Sequence, residues 1–283
     1  MKFIDGKKIA NAILDDLKKS IFLLKKKGII PGLGILVVGE DPASHTYVSI
    51  KMKTAEALGI YVKKIALSSS SSYVQTSQAL KRLQKNKNIH GIIIQIPLPK
   101  HLELDQVTPL VPQEKDIDCF HPENLSRFFT GRQIPLLPPT AEAVMRCIRS
   151  TGLALGGKRV LVIGRGFFGR QIAAHCTNNG GVVTLVSSHY KSLSKLTKTV
   201  DIIVSAVGRE GIIRGSMVHS ATIIIDVGIS KNTEGRIVGD VDSTSMKKKK
   251  VYITPVPGGV GPITVALLME NVVKAAALTL KKK

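Results

Sequence analysis

The sequence predicts an α/β protein of two domains. Three observations carry that prediction: apolar runs of strand length alternate with amphipathic helical patterns, a glycine-rich turn stands between a strand and a helix, and a Pro-, Asp- and Asn-rich stretch separates two such alternations. At 283 residues and 43% hydrophobic composition the chain can bury a core in each half.

Ile9, Ile13, Leu17, Ile21 and Leu24 follow helical spacing, and Gly28 stands where a C-terminal cap belongs. A short apolar run from Leu33 to Val38 reads as a strand. A helix over about 43–58 stopped by Gly59, a strand near 60–67 and a helix around 74–85 come next. Residues 91–96 form an apolar run interrupted only by Gln95, as in a strand buried on both faces of a parallel sheet. Beyond the 116–139 stretch, helix 141–150, strand 158–164, a helix from Phe168, strand 182–186 and strand runs at 201–206 and 222–227 make a doubly wound pattern. The last helix, about 263–280, has no sheet partner left in the second half and is expected to return to the first. The expected domains are therefore 1–118, completed by 263–283, and 119–262.

Charge and cysteine content narrow the function classes. A formal charge of +21 raises nucleic acid or an anionic membrane as partners, but the lysines fall in short separate runs, and aromatic residues are only 4%. A lysine-biased surface is the preferred reading, with no membrane and no nucleic-acid partner expected. Cys119, Cys147 and Cys176 lack ligand spacing, so neither a disulfide framework nor a metal site is expected. The N-terminus meets charges too early for a signal peptide, and no run approaches the ~20 apolar residues of a membrane span. A cytoplasmic location is expected.

Gly164-Arg165-Gly166-Phe167-Phe168-Gly169 follows a strand and opens a helix. Its first glycine permits a tight turn, the second lets backbone approach a pyrophosphate, and the third allows close helix packing. An NAD site usually has an acid at the end of the next strand; here that end reads Ser187-Ser188-His189-Tyr190-Lys191. Arg165, His189 and Lys191 instead suit a 2′-phosphate, which favours NADP.

In the first half, Tyr47 and Lys51 share one helical face, a spacing that more commonly means a packed ring and a solvated charge. Gln95 lies where Pro97 and Pro99 end a buried strand, and Asp116 and Asp118 could simply cap a turn. The segment Thr254 to Thr264, with three prolines and three glycines, combines stiffness with bare backbone, as a ligand platform or a hinge would.

Taken in this order, YVSIK, QIPLP, KDID with FHPEN, the glycine turn, IIDVGI, GDVD and ITPVPGGVGPITVA resemble the bifunctional methylenetetrahydrofolate dehydrogenase/methenyltetrahydrofolate cyclohydrolase family. The resemblance implies a folate-binding catalytic domain, a Rossmann-type NADP-binding domain and a homodimer. It implies Lys51 as the acid/base residue, Gln95 as its orienting partner, Tyr47 stacked on the folate and Asp118 holding the pterin. It also implies Pro257, Gly258 and Gly259 beside the folate, and Ile229 beside the cofactor. The chain departs from the family pattern in a glycine turn one residue shorter without its proline, in Ser188-His189 where the order is usually reversed, in Pro139 where the family has cysteine, and in Cys119 where it has glycine. Because these changes cluster on the cofactor side, a cyclohydrolase without dehydrogenase is the second reading. A basic nucleic-acid-binding protein on an enzyme-derived scaffold is the third.

Overall fold

The computed structural model describes residues 1–282. In chain order its elements are β1 (Lys2–Phe3), α1 (Gly6–Lys26), β2 (Gly32–Val38), α2 (Pro42–Ala57), β3 (Tyr61–Leu67), α3 (Tyr73–Lys85), β4 (Gly91–Ile94), α4 (Leu104–Val107), α5 (Pro122–Phe129) and α6 (Pro139–Ser150). The chain continues through β5 (Arg159–Ile163), α7 (Phe167–Asn178), β6 (Val182–Val186), α8 (Leu193–Leu196), β7 (Ile202–Ser205), β8 (Ile223–Asp226), β9 (Ser230–Lys231), β10 (Ile237–Val238), β11 (Tyr252–Ile253) and α9 (Val260–Leu278).

Two compact units result: residues 12–139 with 265–283, and residues 1–11 with 140–264. The division falls inside α1 and α9, so both helices contribute to both units. In the first unit β2 is the central strand of a parallel sheet ordered β3-β2-β4. Every residue of β2 and β4 is buried, which accounts for their unbroken apolar runs. Leu17, Ile21 and Leu24 of α1 pack with Leu268, Met269, Val272 and Val273 of α9 over Ile35 and Ile93 of that sheet. Each such side chain contributes roughly 1.5–3 kcal/mol through removal from water.

Local signals set the helix ends. Asp41 caps α2, accepting from the Ser44 amide at 2.7 Å with Pro42 in the first turn, and Ser72 and Gln75 form a reciprocal capping box on α3. Gly28 and Gly59 take the left-handed conformation just beyond α1 and α2.

The second unit holds a six-stranded parallel sheet ordered β1-β11-β8-β7-β5-β6, the doubly wound pattern expected. Strand order reverses at β5, which lies between β6 and β7, and open α/β sheets bind ligands at the carboxyl ends of such strands.

Two segments cluster across the expected domain bounds. Segment 119–139 stays with the first unit, because Asp116 ties it there by accepting from the Phe120 and His121 amides and from Asn124 Nδ2, each at 2.9 Å. Residues 1–11 join the second unit, where β1 extends the sheet beside β11. By length and composition α9 does reach what a membrane span needs, contrary to the sequence reading. Its apolar window is 61% buried, with Leu268, Met269, Val272 and Val273 in the core.

In the second unit a buried carboxylate ties α6 to α7. Glu142 accepts from Arg146 Nε at 2.7 Å and Arg149 Nη1 at 3.1 Å, and its other oxygen meets His175 Nε2 at 2.8 Å. Burial alone would push this carboxyl up, but hydrogen bonds from His175 and Arg146 and the charges of His175 and Arg149 outweigh it and bring it down to about 2. A carboxyl depressed on folding stabilises the native state above its unfolded pKa, near 4.5, and loses that contribution as pH falls through 2. The Glu142→Gln variant should be less stable at neutral pH by on the order of 2 kcal/mol. Denaturant titrations at intervals down to pH 2 should show the gap closing, and a gap that stays constant would contradict the assignment.

Candidate active site

Three chain segments deliver one charged cluster in the first unit. Tyr47 and Lys51 sit one turn apart on α2, Gln95 directly follows β4, and Asp118 ends the turn after Asp116. Lys51 Nζ donates to Gln95 Oε1 at 3.1 Å. The Gln95 amide is only 7% exposed and has no freedom to turn, because its Nε2 donates to the Ile96 carbonyl at 2.7 Å, which leaves Oε1 facing the lysine. The four residues therefore lie in one unit, as do Asp116, Asn124 and Asn271 that support them.

Electrostatics make this an uncommon lysine. Burial pushes the Lys51 ammonium below the ordinary lysine range, and the Asp118 carboxylate pulls it back up. Burial pushes Asp118 the other way, up to about 6, while the charge of Lys51 lowers it and that of Asp116 raises it. Among the described residues no hydrogen bond reaches the Asp118 carboxylate, whereas Asp116 is saturated by the turn it organises. The turn-capping role thus belongs to Asp116 alone. Ile92, Ile94, Val111 and Phe120 line the small cavity that both carboxylates face. Tyr47 is half-buried, and desolvation raises its phenol pKa.

The backbone before Asp118 is held from α9. Asn271, 4% exposed, donates through Nδ2 to the Ile117 and Leu137 carbonyls, both at 2.8 Å. Just beyond Asp118, Cys119 has φ 58, a conformation that glycine adopts freely and that costs another residue roughly 1–2 kcal/mol. That explains why a glycine is expected at this position. All three cysteines are buried and outside any disulfide, and burial pushes the Cys119 thiol up and those of Cys147 and Cys176 up to about 12, so none is poised as a nucleophile.

In the second unit Gly164 follows β5 with φ 116, and Gly166 caps α7. A Cβ on Gly164 would lie 2.4 Å from the Ala206 oxygen, and one on Gly169 would lie 1.8 Å from the Gly164 oxygen, so both positions exclude any side chain. Arg165, His189 and Ile229 are exposed around this turn and its sheet edge. Pro257 is exposed and Gly258 has φ 107; with Gly259 they belong to this unit.

Residues 4–118 match the catalytic domain of tetrahydrofolate dehydrogenase/cyclohydrolase, and residues 138–280 match its NAD(P)-binding domain. The chain belongs to that family. A relative in Nautilia profundicola named bifunctional protein FolD is 41% identical over 98% of this chain and 97% of its own length. Two solved structures of family members agree in fold. The FolD enzyme of Campylobacter jejuni superposes with a TM-score of 0.95 at 38% identity, covering 99% of each chain. That of Trypanosoma brucei, complexed with NADP cofactor and inhibitor, gives 0.93 at 34%, covering 98% of this chain and 97% of its own.

If Asp118 holds the Lys51 ammonium up, neutralising it must let the lysine titrate at lower pH. In Asp118→Asn, NMR detection of the Lys51 side chain should show its titration moved to lower pH. An unmoved midpoint would mean that the two groups are not coupled.

Proposed function

We propose that Lys51, Gln95, Asp118 and Tyr47 are the chemical centre for tetrahydrofolate one-carbon derivatives. Pro257, Gly258 and Gly259 serve in this reading as further folate contacts, and Gly164, Arg165, Gly166, Gly169, His189 and Ile229 hold NADP. The chain oxidises 5,10-methylenetetrahydrofolate with NADP and hydrolyses the resulting 5,10-methenyltetrahydrofolate to 10-formyltetrahydrofolate. The observation that carries the assignment is the 3.1 Å bond from a half-buried lysine to a fixed glutamine, beside a carboxylate that accepts no hydrogen bond among the described residues.

The glycine turn fits a dinucleotide. Bare backbone at the N-terminus of α7 presents amides to a pyrophosphate, and nothing lies within 4 Å of where a Gly166 side chain would stand. Exposed Arg165 and His189 suit a 2′-phosphate, and no acid ends β6 to claim the ribose hydroxyls. Bound there, NADP supplies the hydride acceptor. The protein's part in the oxidation is to place the methylene carbon, a task in which orientation dominates the rate.

Hydrolysis falls to the first unit's residues. Asp118 has free acceptor capacity for pterin N–H groups, and Tyr47 offers an aromatic face one helical turn away. Gln95 holds Lys51 Nζ in place. The lowered pKa of that nitrogen allows it to give and take protons as water adds to the methenyl carbon and the ring opens, and a cationic methenyl bridge beside it lowers the pKa further. A cytoplasmic homodimer completes this reading. Supporting it, β3 is the edge of its sheet with no partner strand on its outer side among the described residues, and such edges readily pair with other strands.

Lys51→Met tests the central role. It should reduce hydrolysis of supplied methenyltetrahydrofolate by at least about 10², the usual range for a general acid/base, while NADP affinity stays at the parent value. Near-normal hydrolysis would overturn the assignment.

A further inference from the structure

Two carboxylates lie buried in the second unit, and among the described residues neither forms an ion pair. Asp240 is 0% exposed and Asp226, the last residue of β8, is 3% exposed. Asp240 Oδ2 accepts from Ser205 Oγ at 2.7 Å and the Val207 amide at 2.8 Å, and its Oδ1 accepts from the Arg209 amide at 2.7 Å. Asp226 Oδ1 accepts from the Gly228 and Asp240 amides at 3.0 and 3.1 Å, and its Oδ2 from the Val241 amide at 2.9 Å. Six donors thus converge on two side chains. The fit leaves no room: a Cβ at Gly228 would come within 2.0 Å of the Asp240 carboxylate, and one at Gly239 within 2.1 Å of that of Asp226. Burial pushes the Asp226 carboxyl up to about 7, against the pull of its amide donors and with a further rise from the charge of Asp240.

This clasp reaches the glycine turn. Asp240 binds the residues on both sides of Ala206, and the Ala206 carbonyl is the wall that Gly164 packs against, 2.4 Å from where a Cβ would stand. The loop so held leaves the carboxyl end of β7, next to β5, at the reversal of strand order. We propose that Asp240, backed by Asp226, is a positioning residue for NADP: it sets the Ser205-to-Arg209 loop, and through Ala206 the height of the glycine turn. The inference rests on the glycine turn being the NADP site. A buried carboxylate held by three hydrogen bonds is well suited to such a task, since both its oxygens are committed to the loop and any shift of that loop leaves charge unsatisfied.

The test is Asp240→Asn, which keeps the volume but points an NH2 at groups that are themselves donors. Calorimetric titration should show NADP binding weakened tenfold or more. KM for NADP in methylene oxidation should rise correspondingly, with kcat at saturating cofactor changed less than threefold. Hydrolysis of supplied methenyltetrahydrofolate, close to the parent rate, reports that the enzyme is folded. A folded Asp240→Asn protein with NADP affinity within twofold of the parent overturns the proposal, as does a fall in kcat with unchanged affinity. Should that variant not fold, Ser205→Ala decides, since it removes one of the three donors: about threefold weaker binding supports the inference and parental affinity overturns it. A parent protein that binds no NADP would instead refute the cofactor reading on which the inference stands.

Discussion

In the proposed function Lys51 gives up a proton near neutrality, which a lysine in water does not do, and a lysine buried without partners would not carry a proton at all. The chain meets both demands by partly shielding Lys51 beside Asp118 and giving its nitrogen, among the described residues, one fixed acceptor, Gln95. The three residues come from α2, from the end of β4 and from the turn after Asp116, so the balance holds only while those segments keep their register. Parallel pairing of β2 with β3 and β4, the saturated Asp116 turn and the Asn271 amide from α9 together supply that rigidity. Apolar packing of α1 and α9 over the sheet serves the same end.

The second unit works with backbone instead. In the proposed function the features that face the ligand are bare main chain at Gly164, Gly166 and Gly169, and the buried carboxylates there, Asp226 and Asp240, hold loops. Shortening of the glycine turn relative to the family pattern has not loosened it: Gly164 and Gly169 approach neighbouring backbone so closely that neither tolerates a side chain. The proposed function thus divides chemistry by titratable side chains and binding by main-chain groups between different units.

Much of this was legible in the sequence because it rests on local pattern. Strands such as Gly32–Val38 and Gly91–Ile94 are wholly buried and read as apolar runs, and α1 and α3 carry their own caps or apolar stripes. What escaped was set by distant partners. Strands β1 and β11 have two residues each and exist only because a neighbouring strand pairs with them. The allegiance of 119–139 depends on where one carboxylate finds its donors. Asn271 did leave a signal, a polar residue within an otherwise apolar helix face, which a buried side chain can bear only with a partner. Asp226 and Asp240 sat in recognised motifs, but nothing in their spacing shows that they meet.

Two activities share one chain, and in the proposed function oxidation feeds a hydrolysis driven by Lys51. The most direct measurement of that function supplies methylenetetrahydrofolate and NADP in one cuvette and follows NADPH, the methenyl absorbance and 10-formyltetrahydrofolate together. NADPH should appear in step with oxidation, methenyltetrahydrofolate should rise and then decay, and the final 10-formyltetrahydrofolate should equal the NADPH formed. Methenyltetrahydrofolate that accumulates one for one with NADPH and decays no faster than in buffer, or a folate that yields no NADPH, would contradict it.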